Sequence, residues 1–278
     1  MRIAAIAALP TAGGNDCHLG SGCGFPAPNA EIFTFDPYYE FDLFGIRFSV
    51  DKPTILLLFT VIILVVFFWA AFAKPKLVPG KTQSIGELGY LFVRDQIGRE
   101  IIGKDGDRFV PFLMALFFFV WMNNVWGIIP FAQFPVNSLF VFPVVLAVVV
   151  WLVYMYLGLR HQGPIKFFTN MMFPPGVPKP VYVLLAPIEF ISNVIIRPFT
   201  LAIRLFANMF AGHLLLTIFT VAAFYLASPS IIGVLGSITS FGVTVILTGF
   251  EFVIQALQAY IFALLTAVYI AGSLHAEH

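Results

Sequence analysis

The sequence predicts an all-α integral membrane protein with about five membrane-crossing helices and one interfacial helix, the last two crossings being long, tilted and joined as a hairpin. Apolar residues make up 60% of the 278 residues, charged residues only 10%, and the mean hydropathy is +0.94. Soluble domains are about one quarter charged, so we expect the chain to lie in a lipid bilayer. The net charge is only +1, and we expect no nucleic-acid partner.

Six helices are predicted in the membrane domain, which covers residues 53–278. The first stretch is apolar, uncharged and long enough for one helix across a hydrocarbon core of about 30 Å. Charges alternate with apolar residues in the second, which indicates a helix at the membrane interface. Pro130 and Pro135 divide the next uncharged stretch into a helical hairpin. The predicted bounds are 53–73, 84–103 for the interfacial helix, 109–129, 139–159, 181–227 and 230–272.

The last two predicted helices are each about twice as long as the ~20 residues that cross a bilayer. They must therefore tilt, kink or lie partly along the membrane plane. Pro187 and Pro198 are the expected kink positions in the first of them. A Ser-Pro-Ser break around Pro229 separates the two helices.

Basic residues orient the predicted crossings, because loops rich in Lys and Arg stay in the cytoplasm. Residues 74–108 carry seven of the fifteen basic residues and residues 160–179 carry three. The turns at Pro130 and Pro229 carry no charge, and the segment 1–52 has six acids against three bases. This distribution predicts an external N-terminal segment, five crossings and a cytoplasmic C-terminus.

The N-terminal segment leaves two alternatives open. Its first apolar run is short for a signal peptide, and we expect that it is not cleaved. Cys17 and Cys23 can form a small disulfide on the external side. A metal site that includes Asp16 and His18 is the alternative, but the spacing fits no common zinc pattern. We expect no bound metal.

Arg204 lies inside an otherwise almost entirely apolar stretch, in the sequence PFTLAIRLFANMFAGH. A guanidinium stays protonated at any accessible pH, and holding a charge at the centre of a bilayer costs about 3 kcal/mol or more. Residues three or four apart share one helix face. The residues that follow this spacing are Asn193, Arg197, Thr200, Arg204, Asn208 and Ala211. The stripe predicts ion handling across the membrane, and the alternative is an internal contact between helices.

A second polar face is predicted on the final helix. Its members are Ser237, Ser240, Thr244, Thr248, Glu251, Gln255 and Gln258. Serine and threonine alone would carry little information, because they satisfy their hydroxyls on the backbone of membrane helices. The ionisable Glu251 together with two glutamines indicates more, since a chain of hydroxyl, amide and carboxyl groups is what a hydrated proton path needs.

His213 is expected at a depth similar to that of Glu251 if the two long helices form an antiparallel hairpin. Histidine is the side chain that titrates near neutral pH, which suits a proton relay. A structural pair of buried polar groups is the alternative. Glu189 lies near the cytoplasmic end of its helix and is expected to line a second opening, or else to reach the interface as a snorkelling acid.

The sequences RPFTLAIRLFANMFAGH and IQALQAYIFALLTAVYI resemble subunit a of the membrane (Fo) sector of bacterial rotary ATP synthases. FFWAAFAKPKLVPGK and CGFPAP resemble actinobacterial members. The resemblance covers most of the chain from Pro53 onward. It implies a proton-translocating stator subunit in which Arg204 faces the carboxylates of a rotating c-subunit ring, between two offset aqueous half-channels. The implied partners are that ring, b-type peripheral stalk subunits, other ATP synthase subunits and the lipid bilayer, with ATP chemistry on partner subunits and no cofactor here.

Several positions match channel residues of that family. They are Thr200, Asn208, His213, Glu251 and Gln258. Many family members have an acid where this chain has His213 and a histidine where it has Glu251, so the pair is exchanged here. The exchange keeps one acid and one imidazole in the path, and it leaves open which of them takes the proton first.

Three other classes of protein compete with this interpretation. A self-contained ion channel or secondary transporter would use the same buried charges, but five crossings and the lack of an internal repeat disfavour it. A haem- or quinone-binding redox subunit would need paired histidines within the crossings, and only His213 qualifies. An intramembrane hydrolase needs a nucleophile next to a base, and the sequence offers no such pairing.

Overall fold

The computed structural model describes residues 25, 28, 33, 37–43, 46–173, 181–228 and 230–274. Within this part the chain is almost entirely helical, and the predicted all-α membrane class is confirmed. One small β-hairpin, which was not predicted, precedes the first helix. Its strands β1 (Tyr39–Leu43) and β2 (Ile46–Val50) pair in antiparallel register. The expectations for the signal peptide and for Cys17 and Cys23 lie outside the described residues.

The helices follow in an order close to that of the apolar stretches. They are α1 (Lys52–Phe72), α2 (Lys81–Val93), α3 (Val110–Val125), α4 (Val141–Gln162), α5 (Pro164–Met172), α6 (Tyr182–Ile191), α7 (Arg197–Tyr225) and α8 (Ile231–Leu274). π-helical segments follow α2 at Arg94–Ile102 and join α6 to α7 at Ser192–Ile196, and 3-10 turns lie at Gly103–Arg108 and Val136–Ser138.

Four helical segments are long and apolar enough to cross a membrane, by length and composition. They are Lys52–Phe72, Val141–Gln162, Tyr182–Tyr225 and Ile231–Leu274. The shorter α3 is an apolar helix of 16 residues. On α1 large side chains face outward, with Val65 62% and Trp69 72% exposed. A contiguous apolar surface of this kind is typical of a helix surrounded by lipid.

The described residues form two compact units. The first draws on Met1–Phe59, Met122–Leu139 and Ala207–Ala256. The second draws on Thr60–Trp121, Phe140–Phe206 and Leu257–His278. Helices α7 and α8 each contribute residues to both units.

In the first unit the C-terminal part of α7 packs against the N-terminal part of α8. The Ser237 hydroxyl donates a hydrogen bond of 2.7 Å to the carbonyl oxygen of Ala223. A Cβ at Gly236 would stand 3.0 Å from the Leu226 side chain, so the helices approach closely at a glycine, as membrane helices commonly do. The predicted pairing of the two long final helices is confirmed.

In the second unit α2 lies against both α1 and α3. A Cβ at Gly86 would stand 2.9 Å from the Cβ of Ala71, and one at Gly89 would stand 2.7 Å from the Phe118 ring. The other side of α2 is apolar and open, with Ile85 61% and Leu88 70% exposed. This distribution of apolar surface is typical of a helix that lies in the membrane interface.

Ion pairs connect charged residues within the segment between α2 and α3. Arg99 donates two hydrogen bonds to the Asp107 carboxylate, at 2.7 and 2.8 Å. Arg94 bonds its neighbour Asp95 at 2.8 Å. The Arg99 guanidinium holds the pKa of Asp107 below its usual range. The segment is therefore compact although it is exposed and highly charged.

Candidate functional site

Part of the predicted polar stripe forms one exposed face of α7. The exposed members are Thr200, Arg204, Asn208 and Ala211. On the opposite side of the helix, Leu205 and Met209 have no exposed surface. The polar and small side chains of this face are therefore open to another molecule.

Arg204 has no counter-ion in the part of the chain that the structure describes. The ion pairs found there, with nitrogen and oxygen within 4.0 Å, all lie between Arg94 and Asp107. A bare guanidinium at membrane depth costs several kcal/mol. Arg204 therefore requires water or an anion from a neighbouring molecule.

Asn193 and Arg197 do not share the exposed face of the stripe. Asn193 is 6% exposed, and the half-buried Arg197 lies over the Tyr269 ring, 5.5 Å from its centre. The π-helix at Ser192–Ile196 explains the position of Asn193, whereas Arg197 is the first residue of α7 and keeps the helical spacing to Arg204. A π turn takes one more residue than an α turn, which rotates the following residues by roughly 100° relative to a regular α-helix.

Tyr154 of α4 donates a hydrogen bond to a backbone carbonyl oxygen of this π-helix. The N–H of Arg197 donates to the carbonyl oxygen of Ser192. The next carbonyl, that of Asn193, would receive the N–H of residue 198, but Pro198 has none. The Tyr154 hydroxyl donates to that carbonyl oxygen at 2.8 Å instead. Sequence reasoning missed Tyr154, because nothing in its own apolar helix marks it.

The second unit gathers further polar groups around this point. The Asn193 amide donates to the carbonyl oxygen of Glu189 at 2.8 Å and to its carboxylate at 3.2 Å. The Tyr269 ring lies 5.5 Å from the Tyr154 ring, centre to centre, and also carries Arg197 on its face. A carboxylate, an amide, a guanidinium and two phenols therefore lie together in this unit.

Replacing Tyr154 with phenylalanine should destabilise the packing of α4 against the π-helix by about 1–3 kcal/mol, because a buried carbonyl oxygen loses its hydrogen-bond donor. We expect the variant protein to unfold at lower temperature in detergent. Tyr156→Phe is the matched control, since Tyr156 is 58% exposed and its hydroxyl only accepts a bond from Arg160. Equal melting temperatures for both variants would show that the Asn193 carbonyl does not need Tyr154.

His213 lies among aromatic rings in the first unit. Its ring centre is 5.9 Å from that of Phe33 and 6.1 Å from that of Phe134, and both contacts are edge-on. Phe33 also stacks on Phe210 at 4.6 Å. The Nδ1 atom of His213 is buried and bonds no described residue. Because an unsatisfied buried nitrogen costs about 1–3 kcal/mol, water is its natural partner.

Glu251 is 4% exposed and lies against Gly212, the residue before His213. A Cβ at Gly212 would stand 3.3 Å from Glu251 Oε1. The Gln255 amide donates to the same oxygen over a long 3.4 Å, while Glu251 Oε2 and Gln255 Oε1 bond nothing described. The helical hairpin thus brings Glu251 to the turn of α7 that carries His213, although no ion pair joins the two in the described structure.

Two buried asparagines add to the polar groups of the first unit. The Asn137 amide donates to the Asn124 side-chain oxygen at 2.7 Å, and both residues are at most 1% exposed. Sequence reasoning missed this pair, because Asn137 lies in a turn without helical periodicity. The available signal was the polar Asn124 at the end of an apolar helix.

The hydroxyls of the predicted face on α8 behave as ordinary membrane-helix hydroxyls. Thr244 and Thr248 donate to carbonyl oxygens one turn earlier, at 3.0 and 2.8 Å. The buried amides of Gln255 and Gln258, which are 0% and 2% exposed, distinguish the following part of the helix. The groups able to exchange protons or order water are therefore concentrated from Glu251 onward.

Gly212→Ala should destabilise the packing of α7 against α8 by about 1–3 kcal/mol, because an added methyl group in a filled space displaces the Glu251 carboxyl. Thermal unfolding of the protein in detergent measures this. Gly249→Ala is the matched control, since a Cβ at Gly249 meets nothing within 4 Å. Equal melting temperatures for Gly212→Ala and Gly249→Ala would mean that the Glu251 carboxyl does not fill the space beside Gly212.

Comparison with known proteins decides the family. Residues 54–271 match the family model described as ATP synthase A chain. The chain belongs to the ATP synthase subunit a family. It is 49% identical over 279 residues to ATP synthase subunit a of Streptomyces lividans, covering 99% of this chain and 98% of that protein. It is 44% identical over 259 residues to that of Frankia alni, with 92% and 88% covered, and 37% identical over 250 residues to that of Hyphomonas neptunium, with 87% and 97% covered.

The predicted resemblance to actinobacterial subunit a is thereby confirmed. As a subunit a, the chain is the proton-translocating stator subunit of the Fo sector and a multi-pass membrane protein. It is a non-catalytic, ion-translocating subunit that works in a complex with other ATP synthase subunits.

Proposed function

We propose that this subunit a exchanges protons with carboxylates of a c-subunit ring that pass Arg204. The observation that carries the proposal is the exposed Arg204, which has no counter-ion among the described residues and lies on a face of small and polar side chains. A ring carboxylate would supply the anion that Arg204 lacks. Because an opposite charge nearby favours the ionised carboxylate, a ring site would lose its proton beside Arg204 and regain one before it re-enters the lipid.

The polar cluster of the first unit would form the half-channel from the outside. Its proton-handling members are His213, Glu251 and Gln255, with Asn208 toward the ring. The buried atoms of His213, Glu251 and Gln255 that bond no described residue support a hydrated path, because ordered water satisfies such groups in protein interiors. In the proposed orientation, the uncharged turns at Pro130 and Pro229 and the N-terminal segment 1–52, which is poor in Lys and Arg, lie outside.

The polar cluster of the second unit would form the half-channel to the cytoplasm. Its proposed members are Glu189, Asn193, Arg197, Thr200 and Gln258. The basic segments that precede α3 and follow α4 favour a cytoplasmic location for the adjoining helix ends and for the C-terminus. In this scheme the membrane domain is 53–278, and b-type peripheral stalk subunits hold it against the ring's rotation.

The membrane potential would give the exchange its direction. One charge moved across 100 mV is worth about 2.3 kcal/mol, so loading occurs outside and release inside while the potential is maintained. Arg204 would also repel positive charge between the half-channels and so prevent a direct leak.

Disulfide cross-linking tests whether the exposed face of α7 meets the ring. In a chain with Cys17 and Cys23 replaced by serine, we expect cysteines at Thr200 and Asn208 to form disulfides with cysteines placed beside the ring carboxylate. Trp69→Cys is the control, because it is 72% exposed on α1 and should form none. Equal cross-linking from all three positions would contradict a specific contact between the exposed face of α7 and the ring. Proton flux by the purified subunit without a ring would instead favour a self-contained channel or transporter.

A further inference from the structure

An apolar groove lies between α1, α3 and α4 in the second unit and has a volume of about 410 Å³. Apolar side chains line it, among them Val61, Val65 and Phe68 of α1, Phe112 and Ala115 of α3 and Leu146 of α4. Val61 is 42% and Val65 62% exposed, so the groove opens at the surface of the molecule. None of these residues belongs to the Arg204 face or to either polar cluster.

Basic residues lie where α1 ends and α3 begins. Lys74 follows α1 by two residues, and Arg108 lies one turn before Phe112. Both are exposed, and neither is in an ion pair within the described residues, unlike Arg94 and Arg99. Two of the helices that line the groove, α1 at its C-terminal end and α3 at its N-terminal end, therefore each carry a positive charge without an ion-pair partner among the described residues.

The shape and lining of the groove favour a flexible apolar chain over a transmembrane helix. Membrane helices approach one another at glycine, alanine or serine, whereas branched and aromatic side chains line this groove, apart from Ala115. A space left unfilled loses dispersion contacts on all its walls. A lipid tail enters such a space from the bilayer without leaving an apolar medium.

We propose that the groove binds an acyl chain of an anionic phospholipid whose headgroup lies at Lys74 and Arg108. Basic pockets between helix ends on the cytoplasmic side attract anionic headgroups, and each Lys or Arg near the surface contributes about fivefold in affinity. The lipid joins α1, α3 and α4 into one surface. The proposal does not depend on the proton path described above.

Photolabelling of the intact ATP synthase in phosphatidylcholine nanodiscs tests the proposal. The probe is phosphatidylglycerol with a photoreactive group in its acyl chain, compared with the phosphatidylcholine analogue. We expect labels on peptides that contain residues 61–68 and 112–119, with the anionic probe favoured about 25-fold from two basic residues. Equal labelling by both probes, or no label on these peptides, would overturn the proposal.

Two variants separate the binding of the tail from that of the headgroup. Ala115→Phe fills the groove and should reduce labelling to background, whereas the control Ala70→Phe, at an exposed position of α1 outside the groove, should not. The double variant Lys74→Gln, Arg108→Gln should bring phosphatidylglycerol labelling down to the phosphatidylcholine level. If Ala115→Phe does not assemble, the double variant alone tests the proposal. An undiminished preference of the double variant for the phosphatidylglycerol probe over the phosphatidylcholine probe contradicts the proposal.

Discussion

Replacing Arg204 with lysine should abolish proton-driven ATP synthesis, to below about one hundredth of the normal rate, because a desolvated ammonium can lose its charge. Because guanidinium groups carry a permanent positive charge, a ring carboxylate that arrives at Arg204 in the proposed scheme would always meet a positive charge. Arg204 is also exposed and lacks a counter-ion among the described side chains, so no described carboxylate of this chain would hold the proton on a lysine between the passage of two ring sites. ATP synthesis by reconstituted complexes under an imposed potential gives the measurement.

A matched control and a second substitution make the test specific. Arg108→Lys is the same chemical change at an exposed position outside the crossings, and it should leave synthesis unchanged. Arg204→Ala should do more than stop synthesis, because protons would leak between the proposed half-channels once the repelling charge is gone. A fully coupled Arg204→Lys complex would show that Arg204 does not act through its permanent charge.

The fold could be predicted from the sequence wherever one helix carries its own signal. Apolar length predicts the crossing helices, since a bilayer demands a minimum span, and the break at Pro229 predicts the pairing of α7 with α8. Within α7 the helical spacing also predicts the shared face of Thr200, Arg204 and Asn208, because it depends only on the regular α-helical turn.

The spacing rule fails where a distant side chain decides the local geometry. Asn193 leaves the stripe because a π-helix intervenes, and the carbonyl freed there is satisfied by Tyr154, 39 positions away in the chain. No pattern within α6 and α7 contains that bond. The Asn124–Asn137 pair was missed for a similar reason, since each asparagine is unremarkable until the turn between them brings the two side chains together.

Gln258 and Gln255 illustrate a different limit of prediction from the sequence. Their spacing predicts that they share a face with Glu251, and the structure adds that both are buried. Burial is what turns a polar stripe into a candidate path, because an exposed amide has no need of ordered water. That distinction depends on neighbouring helices and cannot be read from α8 alone.

Glu251→Gln should lower proton-driven ATP synthesis about a hundredfold, the low end of what a positioned proton-transfer group contributes in catalysis. Glutamine has the same shape and keeps the packing against Gly212, but it cannot release and regain a proton. The loss would therefore report on chemistry rather than on volume. Passive proton flow through the membrane sector, measured with a pH-sensitive dye in vesicles, should fall together with synthesis.

Two further variants decide whether Glu251 relays protons or only fills space. Glu251→Asp keeps an ionisable group and should recover part of the flow, although its carboxyl lies one methylene further from the Gln255 amide that now approaches Oε1 at 3.4 Å. Glu100→Gln makes the same charge change at an exposed residue of the segment after α2 and should have no effect. If Glu251→Gln conducts normally while Gly212→Ala does not, the carboxyl supports packing alone, and the proton would have to reach the ring through His213 by way of water.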